Sequence, residues 1–139
     1  RTGWDVSSTK VLLENKHPDC CYIGFDIEDR SWITDKASNV RFKQNSSWDI
    51  INNIDTILES GHQWIDLLLI DGDHSVNAVL KEWDYAKLVR PNGGIVVLHD
   101  TNFHPGPWCL MRSVDTILFT SEAFCENFTD WGLGVLRRI

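Results

Sequence analysis

The chain is 139 residues long, 42% hydrophobic, and carries a formal net charge of -7. That suffices for one core, and the acidic balance lacks the clustered Lys and Arg of a nucleic-acid footprint and any attraction to an anionic membrane. No run approaches the roughly 18 apolar residues of a membrane span and no signal-like segment opens the chain, so one cytoplasmic domain over residues 1–139 with a small partner is expected, homo-oligomer formation being left open.

Residues 1–8 start on a loop, and residues 9–14 have helix character with a Ser cap candidate. Residues 21–25 read as a strand ending in Asp26. This carboxylate lies 23 residues after Gly3, close to the roughly 20-residue separation at which nucleotide-binding α/β folds place an acid on ribose hydroxyls. Residues 39–43 alternate polar and apolar, as an edge strand does. Ser46 and Asp49 then form an S-x-x-D capping box. Ile50, Ile51, Ile54, Ile57 and Leu58 make one face of a helix closed by Gly61.

Two apolar runs follow, 67–70 and 95–98, and each ends abruptly in polar residues, Asp71, Asp73 and His74 after the first, His99, Asp100, Thr101 and Asn102 after the second. Between them Val76, Val79, Leu80, Trp83 and Ala86 have the spacing of one helix face. Short apolar runs bracketing a helix predict a β-α-β unit with buried parallel strands. Both polar ends then emerge on one edge of the sheet, where open α/β folds bind ligands. Residues 103–108, rich in Pro and Gly, read as a loop, and 109–124 as mostly helical. Residues 126–129 and 131–137 are two strand candidates joined by a turn, a terminal antiparallel hairpin. The cysteines, Cys20, Cys21, Cys109 and Cys125, lack zinc-type spacing and read as reduced.

The segments DLLLIDGDHS at 66–75, PNGGIVVLHD at 91–100 and WGLGV at 131–135 together resemble class I S-adenosylmethionine-dependent methyltransferases, most closely the small-molecule O-methyltransferase group with macrocin-type and cephalosporin-hydroxylase-like proteins. The resemblance covers nearly the whole chain. It implies an α/β, Rossmann-like, mostly parallel sheet with flanking helices and the C-terminal hairpin. It also places the family's first strand ahead of Arg1, so the domain is expected to be N-terminally incomplete. The cofactor would be S-adenosylmethionine. Gly3, Trp4 and Ser8 would belong to its loop, in which TGWDVSS at 2–8 holds a single glycine. Asp26 would take the ribose, and Asn45 and Ser46 would lie where the family contacts adenine.

Methyl transfer from a sulfonium needs alignment and a deprotonated acceptor oxygen. A Mg²⁺ ion can supply both by lowering the acceptor's pKa and fixing its position. By resemblance its ligands are Asp71, His99 and Asp100, although His99 stands where the family more often has an acid. His74 falls where catechol-type relatives carry a basic lysine, and a histidine there can accept a proton near neutral pH. His74 and Asp71 are thus the candidate catalytic pair. His104 and Trp108 would border the substrate, a small-molecule hydroxyl compound; His17 and His62 receive no role. Two other readings compete: a receiver-type signalling module phosphorylated on Asp71, with Thr101 as switch hydroxyl, and a methyltransferase-like domain that binds without catalysis.

Overall fold

A computed structural model of the chain describes residue 4 and residues 7–127 and 129–139. Its contacts gather into two compact units, Arg1–Ser47 with Asn53–Gly61, and Trp48–Asn52 with His62–Ile139.

In the first unit, helix α1 (Ser8–Asn15) is capped by Ser7, whose hydroxyl accepts from the Lys10 amide at 3.2 Å and donates to the Trp4 carbonyl at 3.0 Å. Strands β1 (Tyr22–Asp26) and β2 (Val40–Gln44) pair in parallel, Tyr22 opposite Val40 and Asp26 opposite Gln44. A 3₁₀ turn (Ser31–Asp35) connects them and buries Ile33. Helix α2 (Ile50–Leu58) follows, with its residues from Asn53 onward in this unit and its first turn in the second. Its start is held by Asp49, which accepts from the Asn52 amide at 3.4 Å and the Asn52 side chain at 2.8 Å. The expected capping box is therefore replaced by a local Asp cap. The expected apolar face is also uneven, for Ile51 and Leu58 are exposed while the fully buried residue is Asn53.

The second unit is a four-stranded sheet in the order β3-β4-β6-β5, built from Leu67–Ile70, Ile95–His99, Leu133–Arg138 and Phe119–Phe124 for β3, β4, β6 and β5 respectively. β3 and β4 are parallel, Leu67 opposite Ile95 and Ile70 opposite Leu98, and β6 runs antiparallel to both β4 and β5. The α/β class, the parallel pairs and the terminal hairpin all match the reading of the sequence. Helix α3 (Val76–Glu82) and a 3₁₀ turn (Trp83–Leu88) make the crossover. The core gathers Ile70, Val79, Val89, Val96, Leu98, Leu110, Phe119 and Leu136. Each such side chain contributes roughly 1.5–3 kcal/mol by leaving water. β4 alternates, with Val96 and Leu98 buried and its other residues half-buried, and Leu67 in β3 is exposed, so burial on both faces is incomplete.

Three expectations fail after β4. Helix α4 spans Pro105–Ser113, so the Pro- and Gly-rich stretch opens a helix rather than forming a loop. A proline at the first helical position loses no hydrogen bond and arrives with its φ preset. The helix then stops at Ser113, because Val114 is extended (ψ 140°) and Asp115 turns the chain by accepting from the Ile117 amide at 2.8 Å. Residues 119–124 are consequently the first strand of the hairpin, in place of the one expected at 126–129, where residue 128 lies outside the described residues. No helix among the described residues is long and apolar enough to cross a membrane.

Candidate active site

Because β3 and β4 are parallel and in register, the residues after Ile70 and Leu98 leave the sheet side by side. Asp71 Oδ1 lies 3.0 Å from His99 Nδ1, and the same nitrogen lies 2.7 Å from Asp100 Oδ1. His74 joins them, its Nε2 3.7 Å from Asp71 Oδ1 and its Nδ1 3.3 Å from Asp100 Oδ2. His104 approaches from α4, with Nε2 3.6 Å from Asp100 Oδ2. Asp71, His74, His99 and Asp100, all chosen from the sequence, are thus one cluster.

The backbone explains how these side chains are held. Asp100 has a left-handed φ of 58°, a conformation that Asp tolerates better than most residues, and its side chain is only 9% exposed. Ser75 caps α3 through the Ala78 amide at 3.3 Å, and Asp73 accepts from the Ser75 amide at 2.8 Å, which lowers the Asp73 pKa and gives it a turn-forming role. The Gly106 amide donates to the His74 carbonyl at 3.0 Å. A Cβ on Gly106 would stand 2.6 Å from the carbonyl oxygens of both His74 and Ser75, so α4 rests directly on the turn that carries His74. Farther along, the Asn102 amide donates to the Trp131 carbonyl at 2.9 Å and its side chain to the Asp130 carbonyl at 2.7 Å. These bonds bring Trp131 beside His104, their rings stacked at 5.8 Å, and His104 in turn meets the His74 ring at 4.5 Å.

Electrostatics in the cluster are unbalanced. Burial raises the Asp71 pKa, opposed by the His99 and His74 imidazoles and assisted by the Asp100 charge. His74 Nε2, His99 Nδ1 and Asp100 Oδ1 are buried without a hydrogen-bond partner. Such atoms are costly unless something else engages them. Asp71, His74 and His99, and separately His74, Asp100 and His104, each offer donor atoms within 4.8 Å of one another. The trio expected from the resemblance, Asp71, His99 and Asp100, is linked through the shared His99 nitrogen. One or two carboxylates are what Mg²⁺ takes from a protein, but here two imidazoles, which suit softer divalent ions, stand among the donors. The donor set suits a divalent cation and fits Mg²⁺ poorly.

His99 also borders a cleft of about 610 Å³ lined by Phe124, Cys125, Glu126, Asp130 and Trp131. Trp108, expected beside the substrate, is an exposed residue of α4 with the Arg112 guanidinium 3.9 Å from its ring centroid.

The residues expected to hold the cofactor lie in the first unit. Asp26 ends β1 and accepts from the Glu28 amide at 2.9 Å and from Arg30 Nε at 3.3 Å, and its carbonyl receives the Asn45 amide at 3.0 Å. Each carboxylate oxygen keeps lone-pair capacity for a ribose hydroxyl, so this end fits the cofactor's sugar. Asn45 and Ser46 are braced by Asn53, whose Oδ1 accepts from Asn45 Nδ2 at 2.9 Å and whose Nδ2 donates to the Ser46 carbonyl at 2.9 Å. Trp4 meets the Trp32 ring edge-on at 5.6 Å. Ser8 opens α1, and Gly3 lies outside the described residues. Sequence reasoning missed Asn53 and the inclusion of His104 in the cluster. The only available signal was a polar residue inside an apolar helix pattern and a histidine one position before a helix-starting proline.

Residues 7–101 match the family model described as Methyltransferase domain. No curated protein matches the chain. Among solved structures, the chain is similar to an rRNA methylase from Streptococcus thermophilus, with a TM-score of 0.63 and 10% identity over 86% of this chain and 74% of that one. It is also similar to the MycE methyltransferase from the mycinamycin biosynthetic pathway in complex with Mg, SAH and mycinamycin VI, with a TM-score of 0.60 and 18% identity over 85% of this chain. The chain spans 36% of that protein's length. At these identities the two likenesses speak for the fold.

Proposed function

The chain belongs to the methyltransferase-domain family and is an S-adenosylmethionine-dependent methyltransferase; we propose that its acceptor is a hydroxyl group of a small molecule. The observation that carries this reading is the state of His74. Its Nδ1 faces Asp100 Oδ2 at 3.3 Å, while its Nε2 is buried with no hydrogen-bond partner. A proton on Nδ1 donated to Asp100 fixes the tautomer and leaves the Nε2 lone pair free to take the acceptor's proton. Asp71, with Oδ1 3.7 Å from Nε2, faces the positive charge that this transfer creates. Bound S-adenosylmethionine supplies a methyl group on a sulfonium, ready for displacement by the deprotonated oxygen. Asp26 would hold its ribose, with Asn45 and Ser46 beside the adenine.

A small acceptor is favoured over RNA by charge. The net charge is -7, and the cleft beside His99 carries Glu126 and Asp130, which repel a phosphate backbone. Mg²⁺, the ion expected from the resemblance, would draw on Asp71 and Asp100, but the imidazoles beside them are poor ligands for it. The receiver reading is not favoured, since the family match runs across Asp71 and its near neighbours are the His74 and His99 imidazoles. Incubation with methyl-labelled cofactor, a panel of catechols and small secondary alcohols, and ribosomal RNA tests the proposal. Label is expected on a small hydroxyl compound and not on RNA. Label on RNA alone overturns it.

A further inference from the structure

We propose that Asp71, His74 and His99 form a nitrogen-rich site for a borderline divalent transition ion of the Zn²⁺ class, in preference to Mg²⁺. Three observations converge. The donor atoms of these residues lie within 4.8 Å of one another, with Asp71 Oδ1 3.0 Å from His99 Nδ1 and 3.7 Å from His74 Nε2. Ligands of a tetrahedral Zn²⁺ at about 2.0–2.1 Å stand about 3.3 Å apart, which these separations bracket. Both imidazole nitrogens are buried and lack a hydrogen-bond partner, and so does Oδ1 of Asp100, a side chain nine-tenths buried and 2.7 Å from the His99 nitrogen. A proton shared in ordinary hydrogen bonds would align at least one of these pairs. A cation held by Asp71 would engage both imidazole nitrogens.

The chemistry of the donors selects the ion. Imidazole suits Zn²⁺, Co²⁺ and their neighbours, whereas Mg²⁺ requires near-octahedral oxygen and dehydrates reluctantly. The second trio, His74, Asp100 and His104, shares His74 but uses its other nitrogen, and both of its imidazoles face the single oxygen Asp100 Oδ2, at 3.3 and 3.6 Å. That arrangement orients two rings instead of surrounding an ion. Asp71, whose side chain is 36% exposed, gives the first trio an open side for entry. An ion on His74 Nε2 occupies the lone pair assigned to the acceptor's proton, so Zn²⁺ should slow methyl transfer; only this consequence rests on the proposed reaction.

Binding is tested without cofactor or acceptor by adding Co²⁺ to the metal-free full chain and following its visible ligand-field bands. Bands are expected, Zn²⁺ should abolish them at equivalence, and Mg²⁺ in large excess should not. His99→Asn and His74→Asn should each weaken Co²⁺ binding by about a hundredfold or more, while His104→Asn should leave it within about threefold. Circular dichroism checks each variant's fold, and the wild-type competition needs no variant. The proposal is overturned if no bands appear, if Mg²⁺ displaces Co²⁺ at equal concentration, if a thiolate charge-transfer band assigns the ion to cysteines, or if His104→Asn abolishes binding that His99→Asn spares. Failure of methyl transfer with intact Co²⁺ binding would strike the proposed function alone.

Discussion

Two parallel strand pairs in this molecule end in acidic residues, and the ends are finished differently. At the end of β1 the Asp26 carboxylate is satisfied by its own loop, through the Glu28 amide and Arg30, and its side chain is 38% exposed. At the ends of β3 and β4 the acids face imidazoles, Asp100 is nine-tenths buried, and three polar atoms have no hydrogen-bond partner. A satisfied carboxylate gives a rigid acceptor for neutral hydroxyls at little energetic cost. An unsatisfied cluster stores the cost of desolvation and releases it to whatever brings a charge or a proton. The first arrangement suits recognition and the second suits chemistry.

The sharpest way to separate them is His74→Asn, which should lower methyl transfer by about 10²–10⁴-fold while cofactor affinity, read by calorimetry, stays unchanged. Equal losses in both would erase the division of labour. The converse change, Asp26→Ala, should weaken cofactor binding by roughly 10–100-fold, as expected when a charged acceptor loses its hydrogen bonds, and leave Co²⁺ binding to the cluster intact. Gly106→Ala should destabilise the chain by about 1–3 kcal/mol in urea unfolding, because the new methyl meets backbone oxygens that cannot move aside cheaply.

The smallest effect concerns pH. Burial holds the Asp71 carboxyl above its ordinary pKa of 3.8, so between that value and the raised one the folded chain binds more protons than the unfolded chain. Stability therefore falls as pH rises through this window. Asp71→Asn should flatten that fall and slightly raise the thermal midpoint of the metal-free chain at pH 7. An unchanged or lowered midpoint would mean that the histidines already compensate the buried charge.

Much of this division could be read from the sequence, for a specific reason. Asp26, Asp71, His99 and Asp100 sit at or just beyond the ends of short apolar runs, and strand ends in a parallel β-α-β unit converge by topology alone. Residues placed by contacts distant in sequence were harder to see. His104 reaches Asp100 only because α4 begins at Pro105 and rests on the His74 turn. β5 shows no periodic signal, since five of its six residues are exposed and only its pairing with β6 makes it a strand. Asn53 hides inside an isoleucine pattern because a hydrophobic-period reading scores only apolar positions, whereas its buried amide braces Asn45 and Ser46. The spacing of Leu110, Val114, Ile117 and Leu118 imitates a helix past Ser113, and the Asp115 turn overrides it.

The seat of Gly106 on the carbonyls of His74 and Ser75 sets a boundary for redesign. Libraries that vary the stretch from Phe103 to Trp108 would, by changing the entry of α4, also move the His74 imidazole. Diversity aimed at selectivity is better placed across the cleft, at Phe124, Cys125 and Glu126, where side chains can change without shifting the His74 turn.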